Sequence, residues 1–214
     1  GTGRGVNYWA LANMVNYNKA SLPEELREIS LNVRHTYVPP FEAPDVEKKY
    51  GNLTLTYAMQ LHIAAVEVDP QTFKTRILDY VIVDDCGKVI NPMIVEGQVH
   101  GGTAHGLGAA LLEIMPFDKD GNVLAGSFTD YAPITINNMP DLKCSNMQTP
   151  SPFTYNGAKG MGEGGGAPLH AISAALQDAL YDQGVIIQHS HNSPMALHDF
   201  IREGRQRPVT TESR

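Results

Sequence analysis

Apolar and polar positions first divide the chain into segments of different period. Over residues 6–20 the apolar side chains Leu11, Met14 and Val15 fall on one imperfect helical face, and Ser21-Leu22-Pro23-Glu24-Glu25 reads as a cap and first turn of a second short helix. Three prolines in Pro39-Pro40-Phe41-Glu42-Ala43-Pro44-Asp45 then predict an exposed connection. Two β-rich runs follow, Leu53 to Asp69 and Phe73 to Asp84, separated by the turn Asp69-Pro70-Gln71-Thr72 and expected to form a long hairpin. The continuous apolar stretch Tyr80-Val81-Ile82-Val83 predicts a strand buried on both faces.

The period changes again at Asn91-Pro92, a cap followed by proline at the first helical position. Val95, Val99, Leu107 and Leu111 then lay an apolar stripe along a helix expected over residues 92–113. Phe117 to Asn122 is a turn: D-x-D-G resembles the start of a calcium loop, but the later ligand positions do not follow. Residues 149–166 read as a proline- and glycine-rich loop. Ala167 to Leu180 is a clean amphipathic helix, Ser193-Pro194 starts another through Phe200, and the tail after Arg205 is expected to fray. Helices and strands in separate runs predict an α+β fold, with a helical lead-in at 1–45, a main domain at 46–205 and a tail at 206–214.

Composition narrows the class. With 214 residues, 42% hydrophobic and 18% charged, the chain is long enough for a real core and is not disordered. A net charge of −7 without a basic stripe makes a nucleic acid an unattractive partner. No run of 18 apolar residues predicts a membrane span, and the N-terminal residues lack a signal-peptide pattern, so a cytoplasmic location is expected. Cys86 and Cys144 are too few for a disulfide framework or an iron–sulfur site and are expected to be reduced, Cys86 as core packing. His189 and His191 lack a third ligand at metal spacing and read as surface loop.

Two constellations carry chemistry. In the first, Asp85-Cys86-Gly87 leads through Asn91-Pro92 into Gly97-Gln98-Val99-His100-Gly101-Gly102. The start of a helix favours anions, and Gln98 offers a donor and an acceptor to a heterocycle. Glycine costs about 1 kcal/mol against alanine inside a helix, so five between residues 97 and 108 need a packing or ligand reason, and both stay open. In the second, Glu163 stands in Gly157-Ala158-Lys159-Gly160-Met161-Gly162-Glu163-Gly164-Gly165-Gly166, just before a helix. The loop lacks the G-K-[ST] ending of a phosphate loop. It fits a general base in a cleft or, more simply, a solvated glutamate in a glycine-rich turn.

Taken in order, Asp85-Cys86-Gly87, Ile90-Asn91-Pro92, Gly97-Gln98, Gly101-Gly102, His105 to Glu113 and Gly157 to Glu163 resemble the xanthine dehydrogenase, aldehyde oxidase and aerobic carbon monoxide dehydrogenase family. Asp141-Leu142 and Thr149-Pro150-Ser151-Pro152 are similar to the lead into the catalytic loop in the carbon monoxide dehydrogenase-like branch, and the resemblance covers roughly residues 50–203. It implies the C-terminal part of the molybdenum-binding large subunit, with Glu163 as active-site base in the oxidative hydroxylation of an aldehyde, aromatic heterocycle or related carbon. It also implies contacts to molybdopterin, in its cytosine dinucleotide form with molybdenum, from Gln98, Val99, His100, Gly101, Gly102, Lys159, Gly160, Met161 and Gly162. Many relatives have glutamine where this chain has His105, which then reads as a helix residue packed against the core.

The family's large subunit is several times longer than this chain. The resemblance therefore implies a partner supplying the rest of the molybdenum subunit, with FAD and [2Fe-2S] on further subunits. Hydration or carbon monoxide oxidation by the same family, or a non-catalytic cofactor-binding or assembly module, are the alternatives.

Overall fold

The computed structural model describes residues 5–51, 54–162 and 164–204. Glu163 lies outside the described residues, as does the expected tail. Two compact units are present, Gly1–Pro40 and Phe41–Arg214.

In the first unit, α1 (Tyr8–Asn16) starts at Asn7, whose Oδ1 accepts the Ala10 amide at 2.7 Å. It stops short of the expected end because Asn16, Tyr17 and Asn18 are weak helix formers. Short 3₁₀ turns at Lys19–Ser21 and Glu24–Leu26 follow.

The second unit is built on a three-stranded mixed sheet, order β1-β2-β3. β1 (Met59–Val68) and β2 (Thr75–Asp85) form the antiparallel hairpin, and β3 (Leu142–Asn146) adds parallel to the far half of β2. The hairpin turn is held by Asp69, whose Oδ1 accepts the Gln71 and Thr72 amides, each at 2.8 Å. Phe73, expected in the strand, instead takes a left-handed φ of 57° and closes the turn, delaying β2 to Thr75. At the other end Met59 pairs with Asp85, the last residue of β2. Residues 54–58 therefore have no strand to pair with and do not extend β1, despite their β-forming composition.

Helices cover one side of this sheet. α2 (Pro92–Leu111) begins at the Asn91 cap, α3 (Ala167–Ala179) packs on β1 and α2, and α4 (Pro194–Gly204) contributes Leu197, Phe200 and Ile201 to the core. Tyr80 and Ile82 of β2, Val99 and Leu107 of α2, and Ile172 and Leu176 of α3 join them. The helix-dominated core beside a mixed sheet is the expected α+β arrangement.

Two expectations need correction. The Tyr80–Val83 run is buried on one face only: Tyr80 and Ile82 are fully covered, whereas Val81 and Val83 lie opposite Ile63 and Leu61, which are 56% and 57% exposed. Val81 and Val83 themselves are half-buried. Of the two histidines read as surface loop, His189 is exposed as expected, whereas His191 is half-buried with its Nδ1 3.2 Å from Ala109 O. Asn192 is 1% exposed, its amide donates to Ala110 O at 2.6 Å, and its side-chain nitrogen donates to Ser173 Oγ and Ser190 O. His189 stacks on Phe200.

Candidate cofactor and active site

The two glycine-bearing motifs meet at the end of β2. Lys159 N donates to Cys86 O at 2.7 Å and Lys88 N to Gly157 O at 3.1 Å, so the loop's start is laced to the turn after β2. Gly87 makes this approach feasible: its φ is +68°, and a Cβ there would run into Gly157 O. Cys86 is buried, as expected, and Cys144 is an exposed free thiol.

Asp85 clamps the junction. Its Oδ1 accepts the Gly87 amide at 2.8 Å and the Thr149 amide at 3.1 Å; its Oδ2 accepts the Thr149 hydroxyl and stands 3.4 Å from Lys159 Nζ. Burial pushes the Asp85 carboxyl up, but the hydrogen bonds from Thr149 and Gly87 and the Lys159 charge outweigh it and hold the pKa at about 2. The neighbouring Asp84, 3% exposed, is shifted the other way, by burial and by repulsion from Asp85, although it accepts Asn146 Nδ2 at 2.6 Å. The Lys159 ammonium, expected at a cofactor, is committed to Asp85 and to Thr149 Oγ1 at 2.6 Å.

Beyond the clamp, Gly160, Met161, Gly162 and Gly164 line a cavity of about 620 Å³. Thr54, Thr56, Tyr57, Ala58, Met59 and Gln60 form its other wall. The residues that fail to extend β1 thus become part of the candidate site. A larger cavity of about 690 Å³, lined by Thr75, Leu107, Ile134 and Asn192 among others, lies toward the hairpin turn. It does not touch the glycine loop, and Gln98 to Gly102 line neither cavity, so contact with the loop is what favours the smaller one.

α2 carries the other expected contacts, and its glycines divide into two sets. Gly102 and Gly106 are there for packing: a Cβ on Gly102 would lie 3.2 Å from Gly164 C, and one on Gly106 would run into Gly165 O and Pro168. Gly97 and Gly101 have nothing within 4 Å of a Cβ position, as do Gly160 and Gly162 of the loop. Gln98 and His100 are exposed beside them. Val99 differs, since its side chain is in the core and its carbonyl takes the Thr103 hydroxyl at 2.7 Å. His105 is exposed and lies over Gly165 rather than packing into the core.

Motif reading missed Gln60, which faces the loop from β1. The signal was present in the period-two pattern: Gln60 and His62 stand on the face shared with Ala64, Val66 and Val68, where apolar residues belong. Among the described residues no cluster of histidine, cysteine and acidic side chains is able to hold a metal ion directly.

Comparison with known proteins decides the family. The molybdopterin cofactor-binding domain matches residues 3–140. The chain belongs to that family. It is 39% identical over 135 residues to the nicotine 6-hydroxylase large subunit of Paenarthrobacter nicotinovorans, covering 62% of this chain and 16% of that protein. It is 35% identical over 161 residues to the carbon monoxide dehydrogenase large chain of Hydrogenophaga pseudoflava, covering 74% and 18%. The crystal structure of quinoline 2-oxidoreductase from Pseudomonas putida 86 superposes with a TM-score of 0.64 at 41% identity, over 67% of this chain and 18% of that one. The chain thus spans less than a fifth of the length of these relatives. No described helix is long and apolar enough to cross a membrane.

Proposed function

We propose that this chain forms part of the molybdenum centre of an oxidative hydroxylase, holding molybdopterin and supplying Glu163 as the general base. The observation that carries the reading is the cavity of about 620 Å³ lined by Gly162 and Gly164, the two residues that flank Glu163. A carboxylate reaching into such a cleft loses hydration, which raises its pKa and makes it a better base.

The described residues suit the cofactor. Gly97 and Gly101 leave an open strip on α2, and Gly160 and Gly162 leave another on the loop, where a bulky cofactor would meet backbone rather than side chains. Gln98 and His100 would supply hydrogen bonds at its polar edge, and the loop backbone through Met161 would lie along it. Val99 would serve by packing, and Lys159 by holding the loop through Asp85. The cytosine dinucleotide form is the form proposed. When bound, molybdenum supplies the two-electron redox chemistry.

Glu163 then takes the proton of the oxygen nucleophile that attacks the substrate carbon, while the cavity wall from Tyr57 to Met59 orients that carbon and excludes water. The remainder of the molybdenum subunit completes the site, and [2Fe-2S] and FAD subunits carry the electrons away, in the cytoplasm. The nicotine and quinoline enzymes, at 39% and 41% identity, support an aromatic nitrogen heterocycle as substrate. Carbon monoxide oxidation is the second reading, supported by the 35% identity to the carbon monoxide enzyme over the longer stretch.

The test is Glu163→Gln in the assembled enzyme. Molybdopterin and molybdenum stay bound, and substrate no longer reduces the metal centre. Retained turnover overturns the assignment.

A further inference from the structure

Tyr80, at the centre of β2, is completely buried, yet its hydroxyl meets a polar partner, His62 Nδ1, at 3.1 Å. The other ring nitrogen of His62, Nε2, lies 3.2 Å from Gln60 Oε1. Burial lowers the His62 pKa, which favours a neutral ring with a single N–H. With that proton on Nε2 donating to Gln60 Oε1, Nδ1 is left to accept the Tyr80 O–H, and both ring nitrogens of His62 are satisfied. The His62 and Tyr80 rings meet edge to face, with centroids 5.7 Å apart, which fixes the imidazole plane as well as its hydrogen bonds.

The chain ends on the glycine loop. A Cβ on Gly164 would lie 2.6 Å from Gln60 Oε1, 2.9 Å from Nε2 and 3.1 Å from Cδ, so the carboxamide lies against the Gly164 Cα. From the opposite side the same residue is backed by α2, where a Cβ on Gly102 would stand 3.2 Å from Gly164 C. Gly164 is buried between these two supports, and it is the residue that follows Glu163. Gln60 also lines the cavity that the loop borders.

We propose that Gln60 is a positioning residue of the glutamate loop: its carboxamide, oriented through His62 by the Tyr80 hydroxyl, seats Gly164 and so sets where Glu163 stands. The inference rests on the reading of Glu163 as base and adds the device that aims it. Both supports act on backbone, so the loop needs no side-chain anchor of its own at Gly164. An amide held at its oxygen by a buried relay is a firmer seat than one free to rotate in solvent.

The experiment uses the assembled molybdenum enzyme, with kcat and KM expressed per bound molybdenum. Gln60→Ala is expected to lower kcat about tenfold or more, as a displaced base does, with KM within about twofold and molybdenum content unchanged. Tyr80→Phe, which removes only the distal hydroxyl, lowers kcat several-fold and adds nothing in the Gln60→Ala background, because it acts through Gln60. Gly164→Ala places a methyl where the carboxamide lies, lowering kcat when Gln60 is present and less when it is alanine. A wild-type kcat in Gln60→Ala, or effects of Tyr80→Phe and Gln60→Ala that multiply independently, overturns the proposal. Should Gln60→Ala not assemble, Tyr80→Phe decides alone, and an unchanged kcat overturns it. Glu163→Gln is run beside them: turnover in that variant removes the base and this inference with it. An inactive Glu163→Gln beside a fully active Gln60→Ala removes this inference only.

Discussion

The Lys159 ammonium stands 3.4 Å from the Asp85 carboxylate, joining positions 74 residues apart, and the two side chains are only 10% and 6% exposed. Buried pairs of this kind add little over an apolar replacement, but removing one partner strands the other charge without water. Asp85→Asn or Lys159→Met is therefore expected to destabilise the protein by about 3–5 kcal/mol, and the double substitution by less than the sum. Urea unfolding of the three variants checks this. If Lys159 instead bound the cofactor directly, Lys159→Met would lose cofactor while unfolding at the wild-type midpoint.

The same carboxylate gives a pH dependence. Its pKa is depressed in the folded protein, to about 2 from an ordinary value near 3.8, so the folded state binds fewer protons there than the unfolded one. The stabilisation is complete above about pH 4 and is lost as pH falls from there toward 2. Wild-type unfolding midpoints should thus drop more steeply across that window than those of Asp85→Asn, where the group is absent. Equal slopes in the two proteins would show that Asp85 is not held in its charged form.

What was legible in the chain follows from how local each signal is. The stripe Val95, Val99, Leu107 and Leu111, the Asp69 turn and the Asn91-Pro92 helix start each depend on neighbours within a few residues, and each stands where the pattern put it. β3 was not legible: Leu142-Lys143-Cys144-Ser145-Asn146 has one inward apolar residue and becomes a strand only because β2 offers it an edge. The same holds for the Tyr80–Val83 run, whose apolar letters do not say whether a second layer exists. At the site, both glycine motifs were readable as motifs, but their division of labour was not. Nothing in the letters separates Gly106, which must admit the loop backbone, from Gly101, which faces open space. Lys159 carries the same ambiguity, since a lysine in a glycine loop suits a ligand or a buried acid equally, and only the fold brings Asp85 beside it.

That division of labour among the α2 glycines is the basis of the last prediction. Gly101 is exposed, helical and free of neighbours at its Cβ position, so Gly101→Ala is expected to stabilise the cofactor-free protein, by up to about 1 kcal/mol. If the open strip is a cofactor cradle, the same methyl intrudes on it, and the variant should carry less molybdopterin despite its greater stability. Gly106→Ala should behave oppositely. Its methyl meets Gly165 O and Pro168, so the helix-propensity gain is outweighed by the displaced loop, and stability falls together with activity. Thermal unfolding of the cofactor-free chain and molybdopterin content of the assembled enzyme, measured on both variants, separate the two roles. A Gly101→Ala protein with full cofactor content would show that this strip faces something other than the pterin.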